Sequence, residues 1–246
     1  IMNPTIELLK KHRSIRKFPP EPISSELLDE LFLAAQSAAT SSFLQGTTIV
    51  RVKSPETRAL LAESAGNQGY VNTAAEFLVM CADLKRAGNY CIENGFAFEG
   101  QYTEQFIIAT VDVALLAQNL VIAAESEGLG ICYIGGIRND PQRVTELLDL
   151  PQGVYPVFGL CLGYPDQNPE IKPRLPLSVI IKDETYNERG NKEEVREYDK
   201  KIEEYYKQRM GGGHGISWSK QVSKLLGEKS RPHMKDYLRK QGFKFE

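Results

Sequence analysis

The run His12-Arg13-Ser14-Ile15-Arg16 places an imidazole, two guanidiniums and a hydroxyl within five residues. Such a set suits an anion. The planar guanidinium fork matches phosphate or carboxylate oxygens two at a time, and hydrogen bonds with an ionised partner are roughly twice as strong as neutral ones. A second donor set, Lys172-Pro173-Arg174, and a hydroxyl run, Thr40-Ser41-Ser42, lie far from the first in the chain. Three remote segments offering phosphate donors point to one assembled site, although each by itself also fits a solvated surface.

Composition narrows the partners. With 30 Lys+Arg against 32 Asp+Glu the net charge is −2, which leaves no electrostatic footprint for nucleic acid or an anionic membrane, so any basic site is local. Cys81, Cys91, Cys132 and Cys161 form no C-x-x-C pair, and most sit in apolar runs. They read as buried, reduced thiols of a cytoplasmic protein. His12, His214 and His233 have no second His or Cys at metal-ligand spacing, so no metal site is expected. The amino terminus has no apolar signal core, and Ile1 ahead of Met2 reads as an extraneous residue. The most apolar stretch, Phe106 to Ala124, carries Thr110, Asp112, Gln118 and Asn119, which are costly in hydrocarbon. It is predicted as a buried helix and not a membrane span.

The elements that must hold these residues follow from caps and periodicity. Asn3-Pro4 opens a helix to about Lys11. Ser24 or Ser25 caps a second helix, in which Leu27, Leu28, Leu31, Phe32 and Ala35 form one apolar stripe. Thr47 to Val52 reads as a strand, Ser54-Pro55 as a helix start and Glu76 to Asp83 as a buried strand. A long helix runs from about Tyr102 to Glu127 and stops at Gly128. Asn139-Asp140-Pro141 caps a helix to Leu148, Tyr155 to Leu162 is a strand, and Ser178 to Lys182 is expected to be one more. Pro165, Pro169, Pro173 and Pro176 keep the connection from Tyr164 to Pro176 extended. Lys192 to Arg209 is a charge-rich helix, Gly211-Gly212-Gly213-His214-Gly215 a break, and residues 218 to 241 two short helices. Gly128-Leu129-Gly130-Ile131-Cys132-Tyr133 lacks the third glycine of a dinucleotide fingerprint and follows a helix instead of a strand. Helices interleaved with four or five short strands make an α/β or α+β layer.

Several of these segments, taken in order, resemble one family. Pro4-Thr5-Ile6-Glu7-Leu8 leads to His12-Arg13-Ser14-Ile15-Arg16; Ser41-Ser42-Phe43-Leu44-Gln45, Tyr133-Ile134-Gly135-Gly136-Ile137-Arg138-Asn139, Phe158-Gly159-Leu160-Cys161-Leu162-Gly163 and Lys172-Pro173-Arg174-Leu175-Pro176 follow. Together they are similar to the oxygen-insensitive, NADPH-dependent nitroreductases and flavin reductases that bind FMN, from residue 3 to about residue 242. The resemblance implies an α+β fold with a central, mainly antiparallel sheet flanked by helices, in an intertwined homodimer with FMN at its interface. It also implies an FMN-binding core over residues 1–183 and a carboxy-terminal helical extension over 184–246, used for the dimer embrace and NADPH recognition.

By the same resemblance, Arg16 faces the flavin N1/O2 edge, while His12, Ser14, Lys172 and Arg174 hold the phosphate and Arg13 supports them. As a bare residue, His12 also fits a helix C-terminal cap. Thr40, Ser41 and Ser42 reach the flavin, with Thr40 keeping the hydroxyl where serine is usual. The Gln68 amide suits the pyrimidine edge. Tyr133, Gly135 and Gly136 bring backbone N–H groups toward N5 or O4. Arg209 and Arg231 match the family's NADPH-binding basic residues, and His214 stands where a third arginine is common. The implied activity is two-electron, ping-pong reduction of nitroaromatics, quinones or free flavin by NADPH, with no protein nucleophile. Two other readings stay open: a flavin reductase supplying reduced FMN to a partner monooxygenase, and a non-catalytic FMN-binding module.

Overall fold

The computed structural model describes residues 3–209 and 215–246. Helix starts follow the side chains able to cap them. Asn3 Oδ1 accepts from the Thr5 N–H at 2.9 Å ahead of α1 (Pro4–Lys10), and Ser24 Oγ accepts from Leu27 at 3.2 Å ahead of α2 (Ser25–Gln36). Ser54 does the same for α3 (Pro55–Ser64), followed by α4 (Tyr70–Thr73), α5 (Lys85–Glu93) and the long α6 (Thr103–Ser126). Asp140 caps α7 (Pro141–Leu147) through the Arg143 N–H at 3.1 Å. Next come α8 (Leu177–Ile180) and α9 (Asn191–Arg209), then α10 (Trp218–Gly227) capped by Ser217, and α11 (Met234–Lys240). Such a cap contributes about 1 kcal/mol.

Strands β1 (Thr47–Arg51), β2 (Glu76–Asp83), β3 (Gly130–Ile134) and β4 (Val154–Gly163) form one sheet in the order β1-β2-β4-β3, every neighbouring pair antiparallel. The central strands are covered on both faces. Leu78, Met80 and Ala82 of β2 join the core under α2 and α6; Phe77, Val79 and Cys81 join a second core under α3, α4 and α7. That is why β2 reads as a continuous apolar run with no alternation. Edge strand β1 is only half-buried along its length.

Helix α6 is long and apolar enough to cross a membrane by length and composition alone. Here one face packs on the sheet through Ala109, Val113, Leu116, Ala117, Leu120, Val121 and Ala124. Its polar groups find partners inside the fold: Asn119 donates to the Ala34 carbonyl at 3.2 Å and Asp112 accepts from Thr40 and Ser41. The expected buried helix is therefore observed, with one difference. Ile107, Val111 and Leu115, at i, i+4, i+8, are 48%, 49% and 43% exposed within this chain.

Two compact units emerge from the contacts. One comprises the chain up to Pro169 together with His233–Glu246, and the other is Glu170–Pro232. In the first, α11 returns to the core: Tyr237 shares a hydrogen bond of 2.6 Å with Thr145, and Gln241 Nε2 donates to the Pro151 and Val154 carbonyls at 2.9 Å. In the second, α9 packs on α10 with Tyr198 edge-on to Trp218 at 6.1 Å.

One expected element is corrected. Ser178 to Lys182 is not a strand; Leu177–Ile180 makes a single helical turn, closed by Val179 N–H to Pro176 O at 3.1 Å and Ile181 N–H to Leu177 O at 2.7 Å. β-branched residues favour a strand only where a neighbouring strand offers a ladder, and among the described residues none lies beside this segment. Three elements had no strong signal and were not predicted: α5, α4 and β3.

Burial pushes the phenols of Tyr155 and Tyr237 up to about 12 from an ordinary 10.0, against the opposing bonds from Thr110 and Thr145. Because the folded values lie above the unfolded ones, this stability is complete below about pH 10 and is lost as pH rises through 12. Urea denaturation should therefore show a falling midpoint between pH 10 and 12. Tyr155→Phe should flatten that slope, and an unchanged slope would contradict the assignment.

Candidate active site

The cationic segment is held by the sheet edge. Ser14 bridges Ile131 in parallel fashion, and the Ile15 N–H donates to the Ile131 carbonyl at 2.8 Å, so residues 14–15 lie along β3 as a short extra strand. The buried Ile15 side chain anchors it. A Cβ on Gly130 would stand 2.6 Å from Ile15, so only glycine there lets the segment pair. His12 leaves the end of α1 with Nδ1 2.6 Å from Glu125 Oε1, at the end of α6. Its side chain thus meets a carboxylate instead of capping α1, and Nε2 is the nitrogen left to face a ligand. Arg13 and Lys11 line an open cavity of about 640 Å³ together with Glu125, Asp166 and Gln167.

Arg16 sits one step further on. Its backbone N–H donates to Gln167 Oε1 at 2.5 Å, and its guanidinium lies beside the Tyr70 phenol and the Cys132 thiol. Burial pushes the Tyr70 phenol above its ordinary value, and Arg16 opposes that shift. Tyr70 donates to Gln68 Oε1, and Gln68 Nε2 donates to the Ala65 carbonyl at 2.8 Å, which fixes which end of the amide is which. Gln68 retains one N–H and one lone pair for a ligand.

The glycine pair after β3 completes this group. A Cβ on Gly136 would be 2.5 Å from the Ala65 oxygen and 2.8 Å from Gln68 Nε2, so the 3₁₀ turn Gly135–Asn139 can approach the Gln68 loop only as glycine. The Tyr133 side chain is engaged within the fold. Its ring packs edge-on against Phe158 at 5.0 Å and its hydroxyl donates to Gln118 at 3.2 Å, while burial pushes the phenol up to about 12. Its backbone is what remains available.

Thr40, Ser41 and Ser42 stand elsewhere. The Thr40 hydroxyl donates to Asp112 Oδ2 at 2.5 Å and the Ser41 N–H to Oδ1 at 3.0 Å. Asp112 and Glu125 are thirteen residues apart on α6, about 20 Å at the helical rise of about 1.5 Å per residue. Within one chain the hydroxyl run, held at the middle of α6, and His12, held at its end, are therefore kept about 20 Å apart. Thr40 and Asp112 line a separate cavity of about 610 Å³.

In the second unit, Lys172 Nζ lies 4.8 Å over the Tyr206 ring and Tyr198 donates to the Pro173 carbonyl at 2.9 Å, tethering the Lys172–Arg174 strip. Arg209 donates to the Tyr205 hydroxyl at 3.0 Å at the end of α9. Arg231 has a left-handed backbone, φ 51°. His214 lies outside the described residues. Sequence reasoning missed Glu125, Tyr70 and Asp112 as site supports; the only signal was a carboxyl interrupting the apolar run of α6, present for Asp112 alone. Among the described residues no cluster of potential metal ligands occurs.

This arrangement matches known proteins along its whole length. Residues 9–164 match the model of the Nitroreductase family, and residues 172–246 that of the Nitroreductase family, C-terminal domain. The chain is 44% identical to the NADPH-flavin oxidoreductase of Vibrio harveyi over 98% of each protein. It is 43% identical to the oxygen-insensitive NADPH nitroreductase of Salmonella typhimurium, over 98% of this chain and 99% of that one. The solved structure of the Vibrio harveyi NADPH:FMN oxidoreductase complexed with NAD+ superposes with a TM-score of 0.90 at 44% identity, covering 98% of this chain and 99% of that one. A polar segment pinned to a sheet edge, a glycine-permitted turn against it and full-length matches of both parts of the chain lead to one conclusion: the chain belongs to the nitroreductase family.

Proposed function

We propose that the chain is an FMN-dependent oxidoreductase that uses NADPH to reduce small-molecule acceptors such as nitroaromatics, quinones or free flavin. The observation carrying this reading is the contiguous set Arg16, Tyr70, Gln68 and Gly136, reached directly from His12, Arg13 and Ser14. Phosphate donors thus run along one segment into a cation and an amide suited to a polar ring edge. The set fits FMN, and the backbone approach at Gly136 is space that a Cβ would fill.

FMN, when bound, would supply the two-electron redox chemistry between NADPH and the acceptor. The protein's own part is binding and electrostatics. His12, Ser14, Lys172 and Arg174 hold the phosphate, with Arg13 in support. Gln68 and the backbone at Tyr133, Gly135 and Gly136 orient the ring. Arg16 sets a positive charge at the N1/O2 edge. For a two-electron couple, about 1.4 kcal/mol of differential stabilisation shifts the potential by roughly 30 mV, so one guanidinium matters. No side chain need act as nucleophile. Arg209, His214 and Arg231, in the extension over residues 184–246, carry the preference for NADPH.

A homodimer follows from the same reading. Thr40, Ser41 and Ser42 serve the flavin only if a second copy supplies them, given the length of α6 that separates them from His12. The exposed Ile107, Val111 and Leu115 stripe supports such an interface, since a helix apolar on all sides needs covering.

The protein should purify yellow and bleach under anaerobic NADPH faster than under NADH, with Arg209→Ala narrowing that ratio; colourless protein that cannot be reconstituted with FMN contradicts the reading. Lys172→Ala with Arg174→Ala should release flavin, each charge-assisted bond contributing roughly 1.5–3 kcal/mol. Arg16→Ala should lower the two-electron potential and slow reduction more than it weakens FMN binding. If only affinity falls, Arg16 is a phosphate ligand. Sedimentation should show a dimer that Leu115→Glu dissociates with loss of FMN, whereas a stable flavin-loaded monomer would exclude the shared site.

A further inference from the structure

The segment Thr40–Gln45 carries unusual backbone. Ser42, Phe43 and Gln45 all have positive φ, at 50°, 56° and 52°, a conformation that residues other than glycine adopt rarely and at a cost. None of the three is a glycine. Clustered strain of this kind persists only when surrounding contacts over-determine it.

The contacts that do so converge on Asp112. Its side chain is buried, with the residue 2% exposed in the middle of an apolar helix, and both oxygens accept: Oδ2 from the Thr40 hydroxyl and Oδ1 from the Ser41 N–H. Thr40 relays the grip, since its Oγ1 also accepts from the Gln45 N–H at 2.9 Å, and its carbonyl accepts from Phe43 at 3.3 Å. Asp112 thus ties the first residues of the loop directly and the last through Thr40. A carboxylate is suited to this because it accepts at both oxygens, whereas an amide accepts at one. Nothing else buried in α6 is ionisable, and the proposed reaction makes no use of this group.

We propose that Asp112 is a positioning residue of the active site: it holds Thr40–Gln45 in the strained form that presents the Ser41 and Ser42 hydroxyls to the cofactor. This rests on the reading above that the hydroxyl run contacts FMN. The loop is then pre-organised before ligand arrives, and its ordering is not charged against binding.

The test uses the full-length holoenzyme. FMN release on dilution, read by the rise of free-flavin fluorescence, gives an apparent Kd, and hydrogen exchange reports on the amides of residues 41–45. Asp112→Ala should raise the Kd by about tenfold or more and speed exchange in 41–45 while β2 and β4 exchange as in the wild type. Asp112→Asn, which keeps the shape and one acceptor, should give an intermediate Kd, and it decides the matter if the alanine variant does not fold. Wild-type Kd and loop exchange in the asparagine variant, or faster exchange spread evenly over the whole chain, overturns the proposal. Ser41→Ala with Ser42→Ala separates the two claims. If those variants leave the Kd unchanged, the hydroxyl run is not a flavin ligand and the underlying reading fails; if they raise it while both Asp112 variants do not, only the role of Asp112 is lost.

Discussion

Helix α6 sets the distances in this protein. It must bury an apolar face on the sheet, and it carries a carboxyl near each end of that face, Asp112 and Glu125. Each carboxyl is satisfied by a different polar segment, the loop at Thr40 and the imidazole of His12. A buried acceptor left without donors costs more than a formed hydrogen bond contributes, so these two residues constrain the segments that meet them. Because a helix is a rigid ruler, the two segments are kept about 20 Å apart.

The site around Arg16 is held mostly by backbone contacts. Ser14 and Ile15 pair with Ile131, which closes an otherwise open edge of β3 and turns an exposed ladder into an anchor for charged side chains. Glycines at 130 and 136 allow the approaches that follow. Side chains placed this way inherit the precision of the sheet. Arg16, although itself exposed, is held at its backbone by Gln167 and flanked by Tyr70 and Cys132. Cys132 and Cys161 face each other across β3 and β4, and burial raises both thiols, which leaves them as small packing residues.

The opposite surface of α6 shows what burial does not resolve inside one chain. Ile107, Val111 and Leu115 share a half-exposed apolar stripe, and Phe43 stands 78% exposed on the strained loop. Exposed apolar groups of this kind mark association or ligand contact more often than they mark accident.

Much was legible from the sequence because it is local physics. Caps at Asn3, Ser24, Ser54 and Asp140, the run Glu76–Asp83 and the span of α6 each depend on residues within a turn or two. The concentration of cationic and hydroxyl donors in His12 to Arg16 was equally plain, since it needs only side-chain chemistry. Tertiary structure alone decided the rest. Whether Ser178 to Lys182 forms a strand depends on a neighbouring strand, which the described residues do not place beside it. That β3 is a strand depends on β4, and on Ser14 from more than a hundred residues away. That His12 meets Glu125, Gln68 meets Gly136, and Thr40 meets Asp112 are long-range pairings with no sequence period to announce them. Local propensity has a range of a few residues, whereas the contacts that orient a site are closed by packing across the whole core.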